Sequence, residues 1–221
     1  MDIPKFIDLI STRELNFANL ALMRATDPRE GVIPRDLIPA VALKLGPLGL
    51  PDNPTIQRLI NNKADYVYVN SWHLNEEESM AMWRLYSPNH GIAIRSTFER
   101  LHSALQDAES EISAGMIAYE DMTAPPPNVS DPLSYAFRKH AAYRDEHEMR
   151  LAVVETPTMG VAFDPHPVSI RIRVDVDALI DQVVVAPGAP AYLLAAVRTV
   201  MNHWLPEIHP LPSNLLTPLA Y

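Results

Sequence analysis

The chain has 221 residues, 48% of them apolar and 20% charged, which suits one large or two small globular domains with a buried core. Eighteen Lys and Arg against 27 Asp and Glu leave a formal charge of −9, so general nucleic-acid binding is not expected and any such contact needs a local basic patch. The absence of cysteine excludes disulfide scaffolds, thiolate zinc sites, iron–sulfur clusters and a Cys nucleophile.

Met1-Asp2-Ile3-Pro4-Lys5 has no basic region leading into an apolar run. No later stretch approaches the roughly 18 uninterrupted apolar residues of a membrane span. The expectation is a cytoplasmic protein with no membrane partner. Glycine-rich phosphate loops and the G-x-S-x-G elbow are missing, and only seven glycines stand against 21 prolines. Rossmann, P-loop and α/β-hydrolase readings therefore lose their local support.

In chain order, Phe6, Ile7, Leu9 and Ile10 predict a short helix, and the alternation in Glu14 to Phe17 predicts a strand. Prolines and glycines confine any helix between Leu37 and Leu50 to about Ala40 to Leu45. Pro54 suits the start of a helix reaching about Ala64, and Tyr66 to Ser71 is the clearest strand. Asn75 with Glu78 has the form of a capping box ahead of a helix ending near Pro88, with Trp83 in the core. Gly91 opens a strand over Ile92 to Arg95, and Ser96 with Glu99 has the form of a second capping box. Further expectations are a strand over Ile112 to Tyr119, an exposed proline-rich loop over Thr123 to Pro132, and a helix over Leu133 to Tyr143. Strands follow at Glu148 to Val154 and Val168 to Val174; the apolar Leu179-Ile180 and Val183 to Val185 then precede Pro187-Gly188, and a helix runs from Pro190 to about Trp204. The Leu-rich tail should lie against the body. Strands and helices mix without strict βαβ alternation, predicting one α+β domain over residues 1–221 with a mixed or largely antiparallel sheet. The strands at Tyr66 to Ser71, Ile92 to Ser96 and Met149 to Val154 are expected to share one sheet system.

Ionisable groups are densest in Arg138-Lys139-His140 and Tyr143 to Arg150. Residues two apart on a strand share a face, so Glu146, Glu148 and Arg150 would be collinear. Two carboxylates that close push one proton affinity up unless a cation compensates, which suits an acid–base pair; a solvated strand edge with alternating charges is the other reading. His147-Glu148 lacks the second His of a metalloprotease motif, so no metal is expected there. Asp27 and Glu30 joined to Glu146 and Glu148 would make an oxygen-ligand Mg²⁺ set, though no spacing rule requires it. Ser71, at a strand end beside Trp72, either faces a ligand or merely ends the strand.

Tyr68 to Tyr86 with Gly91 to Thr97, the start Thr12 to Phe17 followed by Asp27-Pro28-Arg29-Glu30-Gly31, and Glu146-His147-Glu148-Met149-Arg150 resemble a widespread bacterial family of domains of unknown function. The order Arg13, Ser71, Glu146-x-Glu148 also resembles the ADP-ribosyltransferase superfamily, whose split-sheet domains bind NAD without a glycine loop. Trp72 and His73 replace the usual companions of that family's serine.

The resemblance implies an ADP-ribosyltransferase-like split sheet and NAD as substrate, with Glu148 gripping the ribose and Glu146 orienting or deprotonating the acceptor. Arg13 would hold the ribose or pyrophosphate with its planar fork, Arg24 being the reserve. Ser71 would order the ribose, and Trp72 or Tyr86 would offer a flat surface to nicotinamide. The leading expectation is therefore an NAD-dependent ADP-ribosyltransferase of toxin or phage-defence effector type, acting on an unknown macromolecular acceptor, with an antitoxin or immunity protein as candidate partner. The alternatives are a non-catalytic nucleotide- or partner-binding sensor domain and a metal-dependent nuclease.

Overall fold

The computed structural model describes residues 1–25, 27–33, 35–39, 41, 64–87, 90–129, 131–155 and 167–216. The helices expected at Ala40 to Leu45 and from Pro54 to Ala64 lie almost wholly outside them. In chain order the elements begin α1 (Ile3–Thr12), β1 (Glu14–Asn19), 3-10 turns at Leu20–Ala25 and Arg35–Leu37, β2 (Val67–His73), α2 (Met80–Tyr86), β3 (Ile92–Arg95) and α3 (Phe98–Ala104). Then come β4 (Ser113–Met116), β5 (Ala118–Glu120), α4 (Leu133–Ala136), β6 (Arg138–His140), a 3-10 turn at Ala141–Glu146 and β7 (Glu148–Val154). The chain closes through β8 (Ser169–Arg173), α5 (Val176–Leu179), β9 (Gln182–Val185), α6 (Ala191–Trp204) and β10 (Leu211–Pro212). The fold class is α+β. No helix among the described residues is long and apolar enough to cross a membrane.

The chain forms two compact units, one of Met1–Leu15, Asn75–Glu109 and Ile172–Tyr221, the other of Asn16–Leu74 and Ser110–Arg171. In the first, β9 lies between β3, antiparallel to it, and β10, parallel to it. Trp83 packs on Val184 and Ala186, in the core as expected. The caps there differ from the sequence reading by a few residues. Ser79 Oγ, not Asn75, accepts from Met82 N, because Asn75 is spent on a local turn to Glu77 N and the Glu78 carboxylate accepts from the Trp83 indole. Likewise Thr97 caps α3 by accepting from Arg100 N, while the Ser96 hydroxyl donates to Leu179 O. The tail is held by its backbone in β10, but Leu211, Leu215 and Leu216 stay exposed. Leu219 lies outside the described residues.

In the second unit, β2 is antiparallel to β1 and to β7, and β7 is antiparallel to β4, within the sheet order β4-β7-β2-β1-β8. The unit boundary falls inside β1 and β8. β2 and β7 pair as expected, but β3 belongs to the three-stranded sheet, so the expectation of one system holding all three is corrected. One face of β2 and β7 carries Val67, Val69 and Ala152 into a core with Leu20, Ile33, Tyr135 and Ala136. The other buries Tyr68, Leu151 and Val153.

Two expectations fail around β6. The helix predicted over Leu133 to Tyr143 stops at Ala136, because residues 138–140 instead pair in parallel with β5 and Ala118 N donates to Phe137 O. The strand predicted over Ile112 to Tyr119 divides at Ile117 into β4 and β5, so that its second half can pair with β6. Nor is the proline-rich loop wholly exposed. Val129 is buried and its carbonyl accepts from the Tyr135 hydroxyl.

Candidate functional site

The site is built where β7 begins. Side chains alternate along a strand, and the β2–β7 register sets Arg150 opposite Ser71 and Glu148 opposite His73 on the face that carries the core valines. Glu148 is 5% exposed and Arg150 1%. They do not line a solvated edge, since β7 lies between β4 and β2. Gly115 of β4 faces Arg150, and a Cβ there would come within 3.0 Å of the Phe137 ring; a glycine lets that ring close over the strand.

Arg150 Nε donates to Glu148 Oε1 (2.5 Å) and Nη2 to Glu148 Oε2 (3.2 Å). Its Nη1 donates to Glu30 Oε1 and to the Ala136 carbonyl, each at 2.7 Å. Lys139 Nζ donates to Glu146 Oε2 (2.5 Å) and Glu148 Oε2 (3.2 Å), lies 3.9 Å from Glu30 Oε2, and sits 5.0 Å from the centre of the Tyr143 ring. β6 alternation sends Lys139 into this cluster and Arg138 the other way, to Glu120. Tyr119, paired with Lys139 across β5 and β6, accepts from the Glu148 amide at 2.7 Å.

Glu30 arrives from the Asp27–Gly31 turn. Asp27 Oδ1 accepts from Arg29 N, Glu30 N donates to Asp27 O, and the Arg24 guanidinium donates to the carbonyls of Glu30 and Gly31. Gly31 holds φ +62°, and a Cβ there would stand 3.0 Å from Leu20, so a side chain would be strained by conformation and would press on Leu20. Asp27 Oδ2 is buried without a hydrogen bond among the described residues.

The five side chains carry three negative charges and two positive ones. Burial alone pushes the Glu148 carboxyl up, but Arg150, by charge and hydrogen bond, with Lys139 and the Ser71 hydroxyl, holds it below the usual range. Glu30 goes the other way: burial outweighs Arg150 and raises its carboxyl. Lys139 and Arg150 lose hydration on burial, yet the facing carboxylates raise both and keep them charged. The cluster thus contains one carboxylate kept ionised and one drawn toward protonation.

Of the residues expected to form the site, Ser71 and Glu148 come together: Ser71 is exposed at the strand end on the face of Glu148, and its hydroxyl is among the groups that hold the Glu148 carboxyl down. Glu146 is not on the strand with them. It ends the preceding 3-10 turn and reaches the cluster through Lys139. Trp72 lies on the opposite sheet face, its indole donating to Asn70. Arg13 and Tyr86 belong to the other compact unit. Arg13 is the left-handed cap of α1 and its guanidinium is held by Asp175 and Asp177; Tyr86 is exposed on α2. Arg24 supports the Glu30 turn.

Glu30 does approach Glu148, as the oxygen-ligand set required, but Arg150 and Lys139 stand between them. No three His, Asp or Glu side chains among the described residues converge as a metal site. Lys139, Tyr119 and His73 were not assigned to the site from the sequence, and Tyr119 carried no signal there. Lys139 could have been found from its place in the dense basic and acidic run, His73 from its replacement of a serine-motif companion. No family model matches the chain, no curated protein is similar to it, and no solved structure matches it.

Proposed function

We propose that the chain is an NAD-consuming enzyme of the ADP-ribosyltransferase type, with its reaction centre at the end of β2 and β7 around Ser71 and Glu148. One observation carries this reading: Glu148 is a buried carboxylate held ionised, on the same face of adjoining strands as the exposed Ser71. Cleavage of the nicotinamide–ribose bond develops positive charge on the sugar, and a fixed negative charge whose surroundings need not reorganise lowers that barrier. Both Glu148 oxygens are already engaged, so its part is electrostatic and the exposed Ser71 hydroxyl meets the ribose. Arg150 and Lys139 are positioning residues that keep Glu148 charged and still. In this reading Glu146, half-buried, orients the acceptor.

The same engagement of Glu148 favours a second reading, a binding domain in which the cluster is purely structural. Incubation of the protein with NAD, with and without Mg²⁺ and cell lysate, separates the two. Nicotinamide release that falls by about 10²–10³-fold in a folded Glu148→Gln variant supports the enzyme. No release under any of these conditions overturns it in favour of the binding domain.

A further inference from the structure

We propose that His73 is the proton acceptor for the attacking group, and that this group is a hydroxyl; the inference rests on the transferase reading. His73 Nδ1 lies 2.6 Å from the Glu146 carbonyl oxygen. A carbonyl only accepts, so Nδ1 carries the proton, and in the neutral ring Nε2 carries the lone pair. Strand alternation places His73 on the face of Ser71, and the register sets it opposite Glu148. The residue is exposed, which leaves the ring open to a group bound at the strand end.

The ring is held rather than merely present. His147, a non-glycine residue at φ 38°, takes the left-handed conformation as the chain passes into β7. Its amide donates to Arg144 O and its carbonyl accepts from Leu74 N, which ties this bend to the residue following His73. The bend also stacks the His147 ring on that of His73, 6.2 Å between centroids and 3° between planes. Backbone strain of this kind persists where surrounding contacts hold it, and here it aims one imidazole beside a fixed carboxylate.

In the step this allows, the bond from the ribose anomeric carbon to the nicotinamide nitrogen breaks and its electron pair goes to that nitrogen. The acceptor oxygen forms a bond to the same carbon, and its proton passes to His73 Nε2. An imidazole suits a hydroxyl, which becomes acidic only as its bond to carbon forms. A guanidinium acceptor, protonated throughout the working pH range, gives it no such match. The acceptor is therefore an alcohol or water.

Two measurements test this. In ¹⁵N-histidine-labelled protein, the His73 ring is expected in the Nδ1–H form; an Nε2–H ring overturns the proposal without reference to activity. In His73→Asn the amide nitrogen stands in for Nδ1 and keeps the bond to Glu146 O, so thermal stability and NAD affinity should match the parent. Transfer to an alcohol acceptor, or release of free ADP-ribose where water attacks, should fall by about 10²–10⁴-fold. An active parent with an equally active His73→Asn variant overturns the role of His73 alone, whereas a parent that releases no nicotinamide overturns the transferase reading and this role with it.

Discussion

Arg150 and Glu30, 120 residues apart in the chain, face each other at 2.7 Å with each side chain only 1% exposed. The guanidinium also holds Glu148 and the Ala136 carbonyl, so one side chain joins the Asp27–Gly31 turn, α4 and β7. For a pair this dry, losing one partner is far more damaging than losing both.

Arg150→Met should therefore be the most damaging change in the cluster. It leaves three carboxylates facing Lys139 alone and should cost about 3–5 kcal/mol. Glu148→Gln leaves two carboxylates for two cations, and its cost should stay nearer 1–3 kcal/mol, roughly that of an imperfectly satisfied buried group. Urea midpoints at unchanged slope measure both. Equal losses would show that charge balance does not govern the cluster.

The two buried glutamates should give opposite pH slopes. Glu148 ionises below its ordinary value of 4.5, so its stabilisation is complete above that value and is lost as pH falls through the lowered one. Glu30 ionises above its ordinary value because of burial, so its charged form costs stability near neutrality, and that cost shrinks as pH falls through the raised value. Measured as parent minus variant, stability should fall with acid below about pH 4.5 for Glu148→Gln and rise with acid above that for Glu30→Gln. Parallel curves would contradict the two assignments.

Tyr119→Phe removes the acceptor of the Glu148 amide and should cost about 1–3 kcal/mol, with faster hydrogen exchange at that amide. Unchanged exchange would mean that the phenol does not secure the start of β7.

Arg13→Lys tests the guanidinium that the sequence pattern assigned to NAD. In the folded chain it serves Asp175 and Asp177, both well exposed, so the change should alter stability by no more than about 0–1 kcal/mol and leave NAD affinity alone. A marked loss of NAD affinity would support the assignment of Arg13 to NAD.

The strands that carry the site were legible because Tyr66 to Ser71 and Glu148 to Val154 are rich in β-branched and aromatic residues or bounded by polar clusters. The juxtaposition of Ser71 and Glu148 followed from those two strands pairing. Lys139 was not legible in this way. Its segment has no strand pattern and becomes β6 only through pairing with β5, a long-range contact that outweighs the helical tendency of Ala136, Ala141 and Ala142. The capping boxes failed by smaller margins, because another capping residue, Ser79 or Thr97, stood closer to the first helical turn than Asn75 or Ser96. The opposite facing of Ser71 and Trp72 was already implied by strand alternation; the resemblance grouped neighbours in sequence that the pleat separates.

β7 is buried along both faces, Met149, Leu151 and Val153 on one and Glu148, Arg150 and Ala152 on the other. Apolar alternation therefore gives little information about which way the strand should sit, and a slip of one position against β2 would still bury hydrophobic groups on each side. Only the charged residues make the two alignments unequal. A slipped strand would turn Arg150 away from Glu30 and Lys139 away from any ionised partner on β7, stranding like and unlike charges in a dry interior. On that argument the ionic cluster sets the strand alignment, and its all-apolar replacement is expected to be stable yet to populate more than one strand pairing.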